Sequence, residues 1–186
     1  MNRTEFFETL KQKKVGIIGL GVSHFDLICM LLKKGIDVTV LDKREVSELG
    51  EQYQLLQSLG AKFLLGLSYL DSLTAFDIVF RTPGMYFLSD KLTEARKNGV
   101  VITSEMEVFL EICPCKTYGV TGSDGKTTST TLIGEMLKTE GKTVYVGGNI
   151  GKALLPMVEE INESDICVVE LSSFQLISMR QSLDVA

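Results

Sequence analysis

A glycine-rich turn between an apolar run and a segment of helical spacing constrains this chain more than any other feature. The apolar run is Thr117–Val120, and the turn after it reads Gly-Ser-Asp-Gly-Lys-Thr-Thr. A strand, such a turn and a helix start with Lys-Thr can cradle phosphates, because glycines let backbone N–H groups approach the oxygens and the helix N-terminus adds positive charge. We predict that the phosphates of a nucleotide contact Gly122, Ser123, Asp124, Gly125, Lys126, Thr127 and Thr128.

Local helix energetics argue against the alternative that this stretch is only a helix with a glycine-rich lead-in. Lys126 in the first turn opposes the helix dipole, at a cost of up to about 1 kcal/mol, and Thr127–Thr131 are mediocre helix formers. The lysine can instead reach the terminal phosphates, while the hydroxyl of Thr127 can hold Mg²⁺. Val120 stands where the general pattern has a further glycine, so the loop is a shortened form.

Composition and charge exclude several classes of protein. The chain has 186 residues, 45% hydrophobic and 23% charged, as in ordinary globular proteins. Its net charge of −5 and the lack of a basic stripe with interleaved aromatics argue against nucleic-acid binding. No apolar run approaches the roughly 18 residues that a membrane span needs, and the polar start has no signal-peptide core. We expect a cytoplasmic monomer without a membrane partner.

The four cysteines give little support for a metal or redox centre. Cys29 and Cys167 lie in apolar segments and are expected in the core. Cys113 and Cys115 are separated by one residue, which is shorter than the usual zinc-knuckle spacing. The sequence therefore predicts no metal among the cysteines.

Strands alternate with helices along the chain, which predicts parallel sheets covered on both faces. The expected fold class is α/β, with a Rossmann-like domain over residues 1–112 and the beginning of a P-loop domain over residues 113–186. Residues 113–115 form the predicted linker, because a proline there ends the preceding helix. In the first domain the predicted strands are 14–18, 38–41, 62–65, 77–80 and 100–103, and the predicted helices are 23–34, 45–59 and 88–98.

The second domain starts with the strand that precedes the glycine-rich turn. It continues with a helix to about 140, a strand at 143–146, a second helix to about 162 and a strand at 165–169. Three strands are few for a self-standing nucleotide-binding domain. We therefore expect the chain to be a piece of a longer protein.

Ligands of parallel α/β sheets bind outside the carboxyl ends of the strands, so residues just after each strand are candidate site residues. Glu170 ends an apolar strand, where a carboxylate is costly to desolvate, and it can hold Mg²⁺ directly or through water. Its alternative role is a solvated strand end. Asn149, flanked by glycines at a neighbouring strand end, can offer its amide to a phosphate or substrate, or can simply form a turn.

The first strand is followed by Gly19–Gly21, the start of a dinucleotide fingerprint in which His24 replaces the third glycine. Asp42 comes 21 residues after the second glycine, where a ribose-binding acid would stand. This half alone is compatible with NAD or with another nucleotide. We expect Ser23 to cap the next helix and to donate to a phosphate, and His24 to lie on the helix surface. Arg44 is expected either to contact the ligand or to be solvated.

Taken together, the strand-end motifs resemble the Mur ligase family, which builds the peptide of bacterial peptidoglycan. The sequences GSDGKTT at 122–128, GNIG at 148–151 and ELSSFQL at 170–176 occur in the family's order and spacing. The third of these is most similar to the branch of the family that adds D-glutamate. Weaker similarities are GLG at 19–21, DKR at 42–44 and TPG at 82–84. The resemblance covers the whole chain but less than half of a full ligase.

The resemblance implies an amide ligase that uses ATP and Mg²⁺. ATP would phosphorylate the alanyl carboxylate of UDP-N-acetylmuramoyl-L-alanine, and the amine of D-glutamate would then attack the acyl phosphate. Lys126, Glu170 and Asn149 would be the catalytic residues, and Thr127 would hold Mg²⁺ together with Glu170. The residues that the resemblance assigns to the UDP-sugar substrate are Val22, Ser23, Asp42, Lys43, Arg44, Thr82, Gly84, Asn149 and Ser172.

The family also uses a histidine and a carbamylated lysine, and both should lie after Ala186, together with the domain that receives the amino acid. The resemblance therefore implies that this chain does not ligate by itself. Two alternatives stay open, a non-catalytic module that senses NAD or another dinucleotide, and a P-loop kinase of small molecules. A GTPase is disfavoured because the sequence lacks an Asn-Lys-x-Asp guanine reader.

Overall fold

The computed structural model describes residues 2–186, apart from the side chain of Ser23. The chain divides into two compact units, residues 2–105 and residues 106–186. The helix that ends at Ile112, just before the predicted domain boundary, belongs with the second unit for all but its first residue. No helix among the described residues combines the length and the apolar character that crossing a bilayer requires.

The first unit is built on a five-stranded parallel sheet with the order β3-β2-β1-β4-β5. This is the strand order of a Rossmann sheet without its sixth strand, so the predicted α/β class with parallel sheets is confirmed. The strands are β1 Val15–Ile18, β2 Val38–Asp42, β3 Lys62–Leu65, β4 Ile78–Phe80 and β5 Val101–Thr103. The helices are α1 Arg3–Leu10, α2 Val22–Lys33, α3 Val46–Ser58 and α4 Asp90–Lys97, with a 3₁₀ turn at Leu73–Ala75.

Burial explains why the central strands of this sheet are continuous apolar runs. Every residue of β1 and β4 is buried, as in a parallel sheet covered on both faces. A core cluster joins Ile18, Leu41, Val79 and Ile102 from four strands to Leu92 of α4. Burying each such side chain stabilises the fold by about 1.5–3 kcal/mol, so this cluster is what keeps the strands and α4 together.

Two helices of the first unit differ from the sequence expectation. Helix α1 was not expected, although Asn2 and Glu5 form a capping box and Phe6, Phe7 and Leu10 are buried. The region predicted as helix 45–59 contains a kink, because Gly50 has φ 56° and ψ −136°.

The second unit contains a three-stranded parallel sheet with the order β6-β8-β7. Residues 184–185 run along the outer edge of β6, where Gly119 donates its N–H to the Val185 carbonyl at 2.8 Å. The strands are β6 Lys116–Val120, β7 Val144–Gly148 and β8 Ile166–Glu170, and the helices are α5 Glu105–Ile112, α6 Lys126–Thr139 and α7 Ser173–Leu176.

The helix predicted from the glycines at 147–151 to about residue 162 is wrong. Lys152 forms a β-bridge with Gly147, and only the 3₁₀ turn Leu155–Met157 follows. Pro156 supplies the physical reason, because it has no N–H to donate and disfavours the helical conformation of the residue before it. The segment still packs through buried Leu154, Leu155, Val158 and Ile161.

The end of β7 depends on the absence of a side chain at Gly148. Its φ is +104°, and a Cβ at this position would meet the backbone carbonyl oxygen of Glu170 on β8. We expect Gly148→Ala to lower the free energy of unfolding by about 2–4 kcal/mol, because backbone strain and a backbone clash coincide. Urea denaturation measures this change.

Gly141→Ala is the matched control. Gly141 also has a positive φ, +77°, but a Cβ added there would meet no atom within 4 Å. We expect this variant to cost about 1 kcal/mol from backbone strain alone. Equal losses for the two variants would contradict the close approach of β7 to Glu170.

Candidate active site

The glycine-rich turn leads directly into α6. Gly125 is the N-cap residue with φ +74°, a left-handed conformation that favours glycine, and α6 begins at Lys126. The Lys126 ammonium folds back over the turn and donates to the carbonyl oxygens of Gly122 at 2.8 Å and Ser123 at 3.2 Å. The positive charge is thus held at the mouth of the loop, beside the N-terminus of α6.

Glu170 ends the central strand β8, and its side chain is almost fully buried. The hydroxyl of Thr127 donates to Glu170 Oε2 at 2.7 Å, and the amide of Asn149 donates to Oε1 at 3.0 Å. Among the described residues, no lysine or arginine forms a salt bridge with this carboxylate. A buried carboxylate that has only neutral donors favours a cation nearby, so Thr127 and Glu170 fit an oxygen-ligated Mg²⁺.

A cavity of about 560 Å³ lies between the glycine-rich turn and the ends of β7 and β8. Its size is in the range of small-molecule sites. The residues lining it are Thr121, Gly122, Ser123, Lys126, Asn149, Ser172, Ser173 and Phe174. Thr121, Ser173 and Phe174 were not among the predicted site residues, although Thr121 directly precedes the glycine-rich turn and the other two belong to the ELSSFQL motif.

Ser172 has a structural task in addition to lining this cavity. Its backbone N–H and its hydroxyl both donate to Gln175 Oε1, at 2.9 and 3.0 Å, in the capping box of α7. Asp124 and Thr128 are exposed and are not among the residues that line the cavity. The nucleotide contacts predicted for these two residues, like those of the other residues of the turn, stay predictions.

The first unit has a cavity of about 460 Å³ at the carboxyl ends of its strands. It brings together five of the residues predicted for the UDP-sugar, which are Asp42, Lys43, Arg44, Thr82 and Gly84. Gly19 and Gly21 also line it, and Tyr69 and Met85 are lining residues that the sequence analysis missed. Val22 is 90% exposed and is not a lining residue, while the side chain of Ser23 lies outside the described part of the chain.

The carboxylate of Asp42 accepts several hydrogen bonds from other residues that line this cavity. They come from the N–H of Leu20 at 2.7 Å and from the backbone, Nε and Nη2 of Arg44 at 2.7–3.0 Å. Burial opposes ionisation, but the hydrogen bonds from Arg44 and Leu20 outweigh it and lower the pKa of Asp42 to about 2. Asp42 is therefore charged and fully engaged in fixing the glycine turn and Arg44.

Arg81 is a buried cation that supports the opposite wall of the same cavity. It is 0% exposed, and its Nη1 donates to the Met85 carbonyl at 3.2 Å, with longer contacts to the carbonyls of Thr82 and Pro83. Arg81 was not among the predicted site residues. Its position under the loop 82–85 could not be read from spacing alone.

Two expectations at the start of α2 are wrong. His24 is 1% exposed rather than on the surface, because it points back to β1, where its Nδ1 hydrogen bonds to the carbonyls of Ile18 at 3.1 Å and Gly19 at 2.9 Å. Ser23 is not the N-cap, since α2 begins at Val22 and Gly21 holds the cap position without a side-chain bond. The imidazole of His24 is thus buried against the end of β1, at the position of the third fingerprint glycine.

Models of known protein families match most of the length of the chain. A model of the Mur ligase MurD-like N-terminal domain matches residues 13–104, and a model of the Mur ligase middle domain matches residues 120–185. The chain belongs to the Mur ligase family. This Mur ligase chain is 50% identical to the UDP-N-acetylmuramoylalanine–D-glutamate ligase of Clostridium tetani (strain Massachusetts / E88) over 182 residues, 98% of this chain and 40% of that protein.

A second relative matches the chain over the same share of its length. The enzyme with the same name from Clostridium botulinum (strain Alaska E43 / Type E3) is 48% identical over 98% of this chain and 40% of its own length. The Mur ligase chain thus spans about 40% of the length of these relatives. The solved UDP-N-acetylmuramate:L-alanyl-gamma-D-glutamyl-meso-diaminopimelate ligase of Neisseria meningitides has a TM-score of 0.50 and 21% identity, over 85% of this chain and 52% of that one, which shows the fold alone.

The buried imidazole of His24 predicts an acid-sensitive stability. Burial lowers its pKa below the ordinary 6.5, so the unfolded chain binds the proton more readily than the folded one. The contribution of the neutral His24 side chain to the free energy of unfolding is complete above about pH 6.5. It is lost as the pH falls below that value, and the free energy of unfolding then decreases by up to about 1.4 kcal/mol per pH unit. Urea denaturation between pH 7.5 and 5.5 measures it.

His24→Asn is the control, because it keeps an amide N–H near the position of Nδ1 but cannot titrate. His24 is the only histidine of the chain, so we expect the variant to have a flatter stability profile over this range. An equally steep profile in the variant would assign the acid sensitivity to other groups.

Proposed function

We propose that this chain is the substrate- and nucleotide-binding part of an ATP-dependent ligase that joins D-glutamate to UDP-N-acetylmuramoyl-L-alanine in peptidoglycan synthesis. The observation that carries the proposal is the buried Glu170 carboxylate, which Thr127 and Asn149 hold beside the loop that carries Lys126. The names of the relatives that match 98% of the chain supply the two substrates.

In this proposal the glycine-rich turn is a P-loop for ATP. The Lys126 ammonium would exchange its two loop carbonyls for oxygens of the β- and γ-phosphates, which are stronger, charged acceptors. Thr127 and Glu170 would hold Mg²⁺, and this ion would neutralise charge that develops on the phosphates. Asn149 would keep the Glu170 carboxylate oriented toward the cavity.

The uridine diphosphate end of the second substrate is assigned to the cavity of the first unit. Gly19 and Gly21 expose backbone at the start of α2, and Lys43 lies exposed beside them. Lys43 would therefore contact a phosphate directly. Arg44 and Asp42, which bind each other and Leu20, would hold the glycine turn in place. Thr82 and Gly84 would form the facing wall over Arg81.

The proposed reaction has two steps. The alanyl carboxylate attacks the γ-phosphate of ATP, which releases ADP and forms an acyl phosphate. The amine of D-glutamate then attacks the acyl carbon, and the amide forms as phosphate leaves. Lys126 stabilises negative charge during the transfer. Because the reaction consumes ATP, we expect it to occur in the cytoplasm.

Binding is the appropriate readout, because the chain spans about 40% of the length of its ligase relatives. We expect calorimetry to detect binding of Mg²⁺-ATP and Lys126→Ala to weaken it at least tenfold, since the variant loses a charge-assisted phosphate contact. Lys138→Ala is the control, because Lys138 is exposed in the last turn of α6 and pairs with Glu135. Equal affinity of Lys126→Ala and the unchanged chain would refute the P-loop assignment.

The substrate cavity of the first unit is tested with UDP-N-acetylmuramoyl-L-alanine. We expect calorimetric binding that Lys43→Ala weakens about fivefold or more, because an exposed phosphate contact is lost. Lys62→Ala, at the start of β3 and paired with Asp37, should leave the affinity unchanged. Binding of NAD without binding of the UDP-sugar would instead favour the dinucleotide-sensing alternative.

A further inference from the structure

Three cysteines of the second unit converge on one point, although they are far apart in sequence. The Sγ atoms of Cys113 and Cys115 are 3.6 Å apart, and that of Cys167 lies 3.9 Å from the first and 3.4 Å from the second. Cys115 and Cys167 are buried, and Cys113 is partly exposed. The spacing of Cys113 and Cys115 argued against a metal, but the third thiol comes from the central strand β8.

The sulfur triangle has the dimensions of a metal site. An ion about 0.9 Å out of the plane of the three sulfurs would lie about 2.3 Å from each of them, the length of a Zn–S bond. An ideal tetrahedral zinc lies about 0.8 Å above the plane of three of its ligands, given that bond length. Cys113 is partly exposed, so water can reach the site and serve as the fourth ligand.

We propose that Cys113, Cys115 and Cys167 form a binding site for a thiophilic d¹⁰ cation, Zn²⁺, with water as the fourth ligand. Zn²⁺ prefers thiolates, and three converging sulfurs exclude hard cations such as Mg²⁺, which prefer oxygen. The bound ion would tie the segment before β6 to β8, across a sequence separation of 52 residues. It would act as a structural clamp on the sheet that carries Glu170.

The placement separates this site from the nucleotide cavity. Cys167 is the second residue of β8 and Glu170 is the last, so the two are three positions, or about 10 Å of strand, apart. Cys115 directly precedes β6. The cysteines therefore lie toward the amino ends of the strands, and the clamp does not share ligands with the proposed Mg²⁺ site.

Cobalt is the probe for this site, because thiolate ligands give Co²⁺ an ultraviolet charge-transfer band that oxygen ligands do not produce. The reduced, metal-free chain is titrated with Co²⁺ and then with Zn²⁺. We expect one Co²⁺ per chain, the thiolate band, its loss on addition of Zn²⁺, and a melting temperature raised by about 4 °C or more in Zn²⁺.

Cys113→Ser and Cys115→Ser should weaken Co²⁺ binding at least tenfold, and the partly exposed Cys113 is the safer change for folding. Cys29→Ser is the matched control, because Cys29 lies in α2 of the first unit, so it should bind like the unchanged chain. The proposal is overturned if the reduced chain shows no thiolate band, if Cys113→Ser shows an undiminished one, or if Cys29→Ser alone abolishes it.

Discussion

The parallel register of β8 with its two neighbours is the constraint on which the candidate active site depends. Glu170 pairs with Val120 at the end of β6 and with Gly148 at the end of β7. Because parallel strands all end at the same edge, this register puts the start of the glycine-rich turn and Asn149 on either side of one carboxylate. Thr127 reaches Glu170 only because α6 starts where that turn ends. The absence of a side chain at Gly148 keeps β7 close enough for Asn149 to reach the same group.

Asp42 and Glu170, two buried carboxylates at strand ends, differ in the charge of the groups that donate hydrogen bonds to them. Asp42 carries its own counter-ion, because Arg44 binds it with two side-chain nitrogens and Leu20 adds a backbone N–H. Glu170 is held by a hydroxyl and an amide, which are neutral. The first arrangement is electrostatically complete and fixes a loop, whereas the second leaves a charge for a cation to balance. This difference is why the metal is assigned to Glu170 and a positioning role to Asp42.

Different kinds of interaction connect the strands of the second unit at the two ends of its sheet. Hydrogen bonds converge on Glu170 at the carboxyl ends of the strands, and three sulfurs converge near the amino ends. Asp184 adds a third attachment, because it accepts hydrogen bonds from the backbone and the hydroxyl of Thr117 on β6. The sheet of this unit has three strands, and a small domain buries little apolar surface. These contacts therefore add to the stability of the unit.

The sequence by itself determined the α/β class, the strands and the loop that carries Lys126, because apolar runs, glycines and helix starts are local signals. It placed Glu170 and Asn149 at strand ends for the same reason, and the rule for ligands of parallel sheets made both of them candidate site residues. It failed where the outcome depended on distant partners. The burial of His24 is decided by β1, and the convergence of Cys113 and Cys115 with Cys167 by the register of β8. Pro156 was a local signal against a helix that the sequence analysis overlooked. Only the tertiary structure could decide these contacts, because spacing along the chain carries no information about which side chain the fold brings across a sheet.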